Sequence, residues 1–195
     1  MERLTAKILE HLAQLPEGVP VSAKELLHLG SRAAIDQSLS RLVRRRQILR
    51  AGRGCYVRPV ETRFGRRPPS VEATANALAS ARGETIAPSG AASANALGLT
   101  TQVPVQAIYL TSGKGRRVTL EKQVIEFRHA PGWQLLPGPA GNVLRALNWI
   151  GPERSSEAVP LLRRLPPSVA GEIACVRSRM PTWMAEAVSR VLVNA

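Results

Sequence analysis

Aromatic residues are scarce in this chain, at 4% of 195 positions, so any core rests on Leu, Val, Ile and Ala. The same scarcity argues against single-strand nucleic-acid recognition, which leans on stacking. Cysteine is rarer still: Cys55 and Cys175 stand 120 positions apart, with no Cys or His at ligand spacing around either. That excludes a disulfide scaffold and gives no basis for a structural zinc site. His11, His28 and His129 are equally scattered, so neither a metal set nor a Ser-His-Asp pairing can be assembled from them. No apolar run approaches the length of a membrane span, and the opening Met1-Glu-Arg-Leu4 lacks a signal peptide's apolar core. A cytoplasmic protein without cofactor or metal is expected.

Acidic residues are also few. Lys and Arg total 27 against 14 Asp and Glu, for a net charge of +13. The excess is uneven, with 14 basic and 6 acidic residues in positions 1–67. About a third of the chain thus carries more than half of the excess, which suits a polyanionic partner through counterion release.

Periodicity then places the elements. Leu4, Ile8, Leu12 and Leu15 share one face of a helix over Arg3 to Leu15. Ser22-Ala-Lys-Glu25 has the form of a capping box and predicts a short second helix through Leu29, stopped by Gly30. Ser31 caps a third helix running to about Arg45, with Ile35, Leu39, Leu42 and Val43 facing inward. Its opposite face carries Ala33, Gln37, Ser40, Arg41 and Arg44. A solvated helix face would look the same, but a β-prone hairpin follows: Gln47 to Arg50 and Cys55 to Arg58 flank Ala51-Gly-Arg-Gly54.

Three helices and a hairpin tipped by arginine give the order of a winged helix-turn-helix over residues 1–60. Its expected DNA contacts are Gln37, Ser40, Arg41 and Arg44 in the major groove, Arg32 and Arg45 on phosphates, and Arg50 and Arg53 on the wing.

Residues 61–70, rich in Arg and Pro, read as a basic linker. Residues 71–195 read as a mixed α/β domain, which makes the fold class α+β. Helices are expected from Val71 to Ala81 and from Ser89 to Leu97, then strands at Ala107 to Thr111, Arg116 to Leu120 and Val124 to His129. The remainder is expected to be helical: Asn142 to Ile150, Ser155 to Leu165, Ser168 to Arg177 and Pro181 to Val193.

No catalytic constellation emerges. Ser112-Gly-Lys114 lacks the spacing of a phosphate loop, and Ser89-Gly90 lacks the first glycine of a nucleophile elbow. The small residues of 83–104 suit close helix packing, while Thr100, Thr101 and Gln102 offer a polar surface for a partner. The protein is not expected to be an enzyme.

Two blocks carry a family resemblance. One is Leu29-Gly-Ser-Arg-Ala-Ala-Ile-Asp-Gln-Ser-Leu-Ser-Arg-Leu-Val43 with Ile48-Leu-Arg-Ala-Gly-Arg-Gly-Cys-Tyr-Val-Arg-Pro59. The other is Ala87-Pro-Ser-Gly-Ala-Ala-Ser-Ala-Asn-Ala-Leu-Gly-Leu-Thr-Thr-Gln-Val-Pro104 with Ile108-Tyr-Leu-Thr-Ser-Gly113. In combination they resemble the AbiEi-like antitoxin family of type IV toxin-antitoxin systems. The resemblance implies a winged helix that binds inverted repeats in its own promoter, as monomer or dimer. It also implies a second domain that counteracts a nucleotidyltransferase-like toxin.

In that family a glycine often breaks the recognition helix before the wing. Here Arg46-Gln47 stands in its place, which predicts a longer helix or a changed wing angle. Two alternatives to the antitoxin stand beside it: a winged-helix regulator with no toxin partner, and an RNA-binding protein without sequence specificity.

Overall fold

Ser31 starts the helix that organises the N-terminal part of the chain. In the computed structural model, which describes residues 2–102 and 105–192, its hydroxyl accepts from the Ala34 N–H at 3.4 Å. The expected ends at Met1, Pro104 and Val193 lie outside the described residues.

The element order is α1 (Glu2–Ala13), β1 (Val21–Ser22), α2 (Arg32–Arg44), β2 (Leu49–Arg50), β3 (Cys55–Val57), β4 (Val60–Thr62), β5 (Gly65–Arg67), α3 (Val71–Ser80), β6 (Ile86–Pro88) and α4 (Gly90–Ala96). There follow β7 (Ala107–Thr111), β8 (Arg116–Leu120), β9 (Gln123–His129), α5 (Gly138–Ile150), α6 (Val159–Arg163), α7 (Pro167–Val176) and α8 (Thr182–Leu192). The strands form three sheets, ordered β1-β3-β2, β4-β5 and β6-β7-β9-β8, so the fold is mixed α+β.

The chain divides into two units: Met1–Glu84 with Arg116–Glu126, and Thr85–Gly115 with Phe127–Ala195.

In the first unit, Ile8 and Leu12 of α1 and Ile35, Leu39 and Leu42 of α2 are all at most 1% exposed, and they close over Val21, Leu26 and Ile48. Burying each such side chain is worth about 1.5–3 kcal/mol. The strand order β1-β3-β2 around α2 is that of a winged helix. Val21 pairs with Tyr56, and Leu49 with Val57, both antiparallel.

The expected second helix is a correction. Residues 23–29 form consecutive turns, closed by i→i+3 bonds such as Glu25 N–H to Ser22 O at 3.2 Å and Leu29 N–H to Leu26 O at 2.8 Å. Half of the capping box is present, since Glu25 Oε2 accepts from the Ser22 N–H at 2.8 Å. Ser22 is nevertheless committed to its pairing with Cys55. The bonds that follow close at i→i+3 rather than i→i+4, so the segment stays a run of turns and not an α-helix. Leu26 still reaches the core with no exposure.

The expected linker is a second correction. Residues 60–67 are the β4–β5 hairpin, registered Val60 on Arg67 and Thr62 on Gly65. Its base is tied back to the first unit by Glu17, whose carboxylate accepts from the Ser70 N–H at 2.7 Å and from Arg67 at 3.1 Å. Gly18, at φ +81°, leaves no room for a Cβ, which would lie 2.7 Å from the Thr74 nitrogen. The helix α3, capped by Ser70 on the Ala73 N–H at 3.1 Å, thus belongs with the N-terminal elements. Arg116 on β8 donates to Glu84 at 2.6 Å, and Leu120 joins Leu49, Ala51 and Val57 in a buried cluster.

In the second unit, α4 packs on α5 so closely that a Cβ on Gly90 would stand 2.7 Å from both Arg145 O and Trp149 Cβ. Ser93 and Ala94 are buried, in keeping with the packing role expected of the small residues. Thr101 and Gln102 are exposed and Thr100 is half-buried; the Asn95 side chain donates to the carbonyls of Thr100 and Gln102 at 3.2 Å.

Arg145, only 3% exposed, donates to Ser93 Oγ, Gln134 O, Leu136 O and Asn142 Oδ1 at 2.7–3.2 Å. Burial pushes its guanidinium pKa below the ordinary value. Around this hub Leu144, Leu147, Ile173, Met184 and Val188 form the larger core. Among the described residues no helix is long and apolar enough to cross a membrane.

Candidate nucleic-acid interface

The apolar stripe of α2 turns inward and fixes which face is left over. Ile35, Ser38, Leu39 and Leu42 are buried, while Ala33, Gln37, Ser40 and Arg44 are exposed and Arg41 is half-buried. Ala33, Asp36, Gln37, Ser40, Arg41 and Arg44 line one shallow surface depression. The four polar residues expected to reach a major groove are therefore brought together on one stripe.

Arg41 and Arg44 lie in the last helical turn, where a cation also offsets the negative end of the helix dipole. Arg45 is the exposed C-cap, its N–H donating to Arg41 O at 3.0 Å.

Arg32 sits on the first turn and is engaged within the helix. Its Nε donates to Asp36 at 2.8 Å, both side chains being about half exposed. Such an exposed i,i+4 pair is worth about 0.3–0.5 kcal/mol, too little to keep Arg32 from exchanging Asp36 for a phosphate. Asp36 itself is absent from the sequence-based site. It places one carboxylate among the basic and polar side chains of this face. Its position one turn before Ser40 was the available signal.

The helix ends in a Schellman motif. The Arg46 N–H donates to Val43 O and the Gln47 N–H to Leu42 O, both at 2.9 Å. Arg46 occupies the left-handed position at φ +56°. The helix is therefore not lengthened by the missing glycine: an arginine takes the conformation a glycine would adopt more cheaply.

After the break, β2 and β3 form the wing. Arg53 lies exposed at its tip between Gly52 at φ +92° and Gly54 at φ +72°, a conformation glycine permits. Arg50 is exposed, and its Nε donates to Gly52 O at 3.3 Å, which lays its guanidinium along the wing. Ala51 makes an antiparallel bridge to Leu120, so the wing is braced from β8.

Residues 31–58 contain eight arginines and one acid, a strong local excess of positive charge. Both cysteines are free thiols, and among the described residues no three His, Cys, Asp or Glu side chains gather as a metal site.

The strand order, the exposed polar face of α2 and the arginine-tipped hairpin are those of a winged-helix fold with an exposed basic face. The chain belongs to the family described as a family of unknown function (DUF6088), whose model matches residues 7–160. No curated protein matches it.

Proposed function

We propose that this protein binds double-stranded DNA through α2 and its wing and represses transcription from its own promoter. Gln37, Ser40, Arg41 and Arg44 approach base edges, while Arg32, Arg45, Arg50 and Arg53 meet the backbone. The observation that carries this reading is the exposed α2 stripe, continuous in sequence with an arginine-tipped wing and opposed by a fully buried apolar face. The resemblance to AbiEi-like antitoxins extends the proposal. The second unit counteracts a nucleotidyltransferase-like toxin encoded nearby, and the operator is an inverted repeat bound by two copies or one.

The test is fluorescence anisotropy against DNA from immediately upstream of the gene, beside a scrambled duplex, at several salt concentrations. Specific binding about 10³-fold tighter than the scramble, falling as salt rises, is expected. Equal affinity for both duplexes would reduce the basic surface to a non-specific footprint. Arg44→Ala and Arg41→Ala should each weaken operator binding by about 1–3 kcal/mol where the contact is to a base. Unchanged affinity in both would remove α2 from the groove. Co-expression with the neighbouring nucleotidyltransferase gene tests the antitoxin role, with restored growth expected.

A further inference from the structure

The β4–β5 hairpin ends in a side chain that such a turn does not ordinarily carry. Hairpin tips favour small and polar residues, yet Phe64 stands here 87% exposed. The turn that presents it is well ordered by its own bonds. The Thr62 hydroxyl donates to Gly65 O at 2.7 Å and accepts from the Phe64 N–H at 3.2 Å. Gly65, at φ +108°, absorbs the backbone reversal, and Arg63 and Phe64 keep ordinary negative φ. The base is equally fixed, through Glu17 to Arg67 and to the Ser70 N–H.

The surroundings of the ring say what it suits. The Arg63 guanidinium lies 4.6 Å from the ring centroid, in cation–π contact. Between positions 60 and 67 there are three arginines to one acid. Glu61 is taken by Arg66 at 2.6 Å and Glu17 by Arg67 at 3.1 Å. A protein partner for an exposed Phe would ordinarily supply an apolar pocket, and a cationic collar of this kind fits a polyanion better. The wing tip, by contrast, offers a cation alone, since Arg53 is flanked by two glycines. An aromatic wedge beside a cation matches the chemistry of side chains that enter a base step from the minor groove.

We propose that the β4–β5 hairpin is a second DNA-contacting element, in which Phe64 inserts between base pairs of the bound duplex and Arg63 holds a flanking phosphate. The inference rests on the duplex-binding reading given above. Insertion unstacks one step and bends the site, so specificity extends to easily deformed steps that α2 never touches.

The experiment uses the full chain and the upstream duplex, with 2-aminopurine placed at successive positions and a fluorophore at each end. Wild type, Phe64→Ala, Phe64→Tyr and Arg44→Ala are compared at saturating protein. In wild type one position should brighten as its stacking is lost, and the ends should draw together. Phe64→Ala should lose both signals and bind about tenfold more weakly, at an unchanged melting temperature because the ring is solvated. Phe64→Tyr should retain both signals. Arg44→Ala should bind more weakly but brighten the same position once saturated.

A wild type that prefers the upstream duplex yet brightens no position overturns the insertion and leaves the α2 reading standing. So does a Phe64→Ala variant that binds and bends like wild type, which would turn Phe64 towards a protein partner. A wild type with no preference for the upstream duplex overturns both readings.

Discussion

Replacing Arg46 with glycine should make the first unit more stable, although no contact is gained. Arg46 is exposed at the left-handed position of the Schellman motif that ends α2, at φ +56°. An L-residue held there costs about 1–2 kcal/mol, and glycine's extra freedom in the unfolded chain returns about 0.5–1 of that. The net gain is about 0.5–1 kcal/mol, or a rise of about 3–6 °C in the melting temperature of a unit near 100 residues.

Arg46→Ala is the control. It removes the same charge and side chain but keeps the Cβ, so it should not share the gain. Urea denaturation followed by circular dichroism, with Arg46→Gly above Arg46→Ala by about that margin, is the expected result. Equal midpoints for the two variants, or a less stable glycine variant, would refute the argument from backbone conformation. The proposed operator binding supplies a second comparison, because both variants lose the same cation and should show the same salt dependence as each other.

Two further outcomes are expected. Gly141→Ala should destabilise the second unit by about 3 kcal/mol or more, measured by urea denaturation, because its Cβ would lie 1.7 Å from Leu136 O. That same carbonyl accepts from the buried Arg145 at 2.9 Å, so moving it also loosens the hub. Glu17→Gln should lower stability at neutral pH and flatten its decline in acid. The Ser70 N–H and then Arg67 hold the Glu17 carboxyl below the usual carboxylate range. Its stabilising effect is thus complete above the unfolded carboxylate value of about 4.3 and fades as pH falls through the folded one. Parallel acid limbs for wild type and variant in denaturation midpoints would refute this.

What could be read from the sequence followed from period and caps. Ser31 accepts the bond from the third residue onward, as expected of a cap, and Ser70 and Ser89 do the same at the starts of the helices expected after them. The stripe of α2 faces inward, with Ile35, Leu39 and Leu42 fully buried. The strands Ala107–Thr111 and Arg116–Leu120 begin and end where expected.

The misreadings share one cause, which is long-range partners that local propensity cannot see. Ser22 looked like a cap, but Cys55 draws it into a sheet. Residues 61–70 looked like a linker because the residue that anchors them, Glu17, lies 50 positions earlier. Within the site, helical phase located Gln37, Ser40, Arg41 and Arg44. The hairpin signal in Thr62-Arg-Phe-Gly65 was masked by the flanking arginines and prolines.

The bridge between Ala51 and Leu120 bears on how the chain matures during synthesis. Leu49, Ala51 and Val57 have their apolar cover only when Leu120 is in place, and nearly 70 residues separate it from Ala51. A nascent chain emerges N-terminus first, so α2 is exposed to the cell while the wing beside it is still uncovered. The finished wing therefore arrives late, after β6 and β7 of the second unit have already been made. A chain stalled or cleaved before residue 120 would carry the arginines of the surface without a finished wing to aim them.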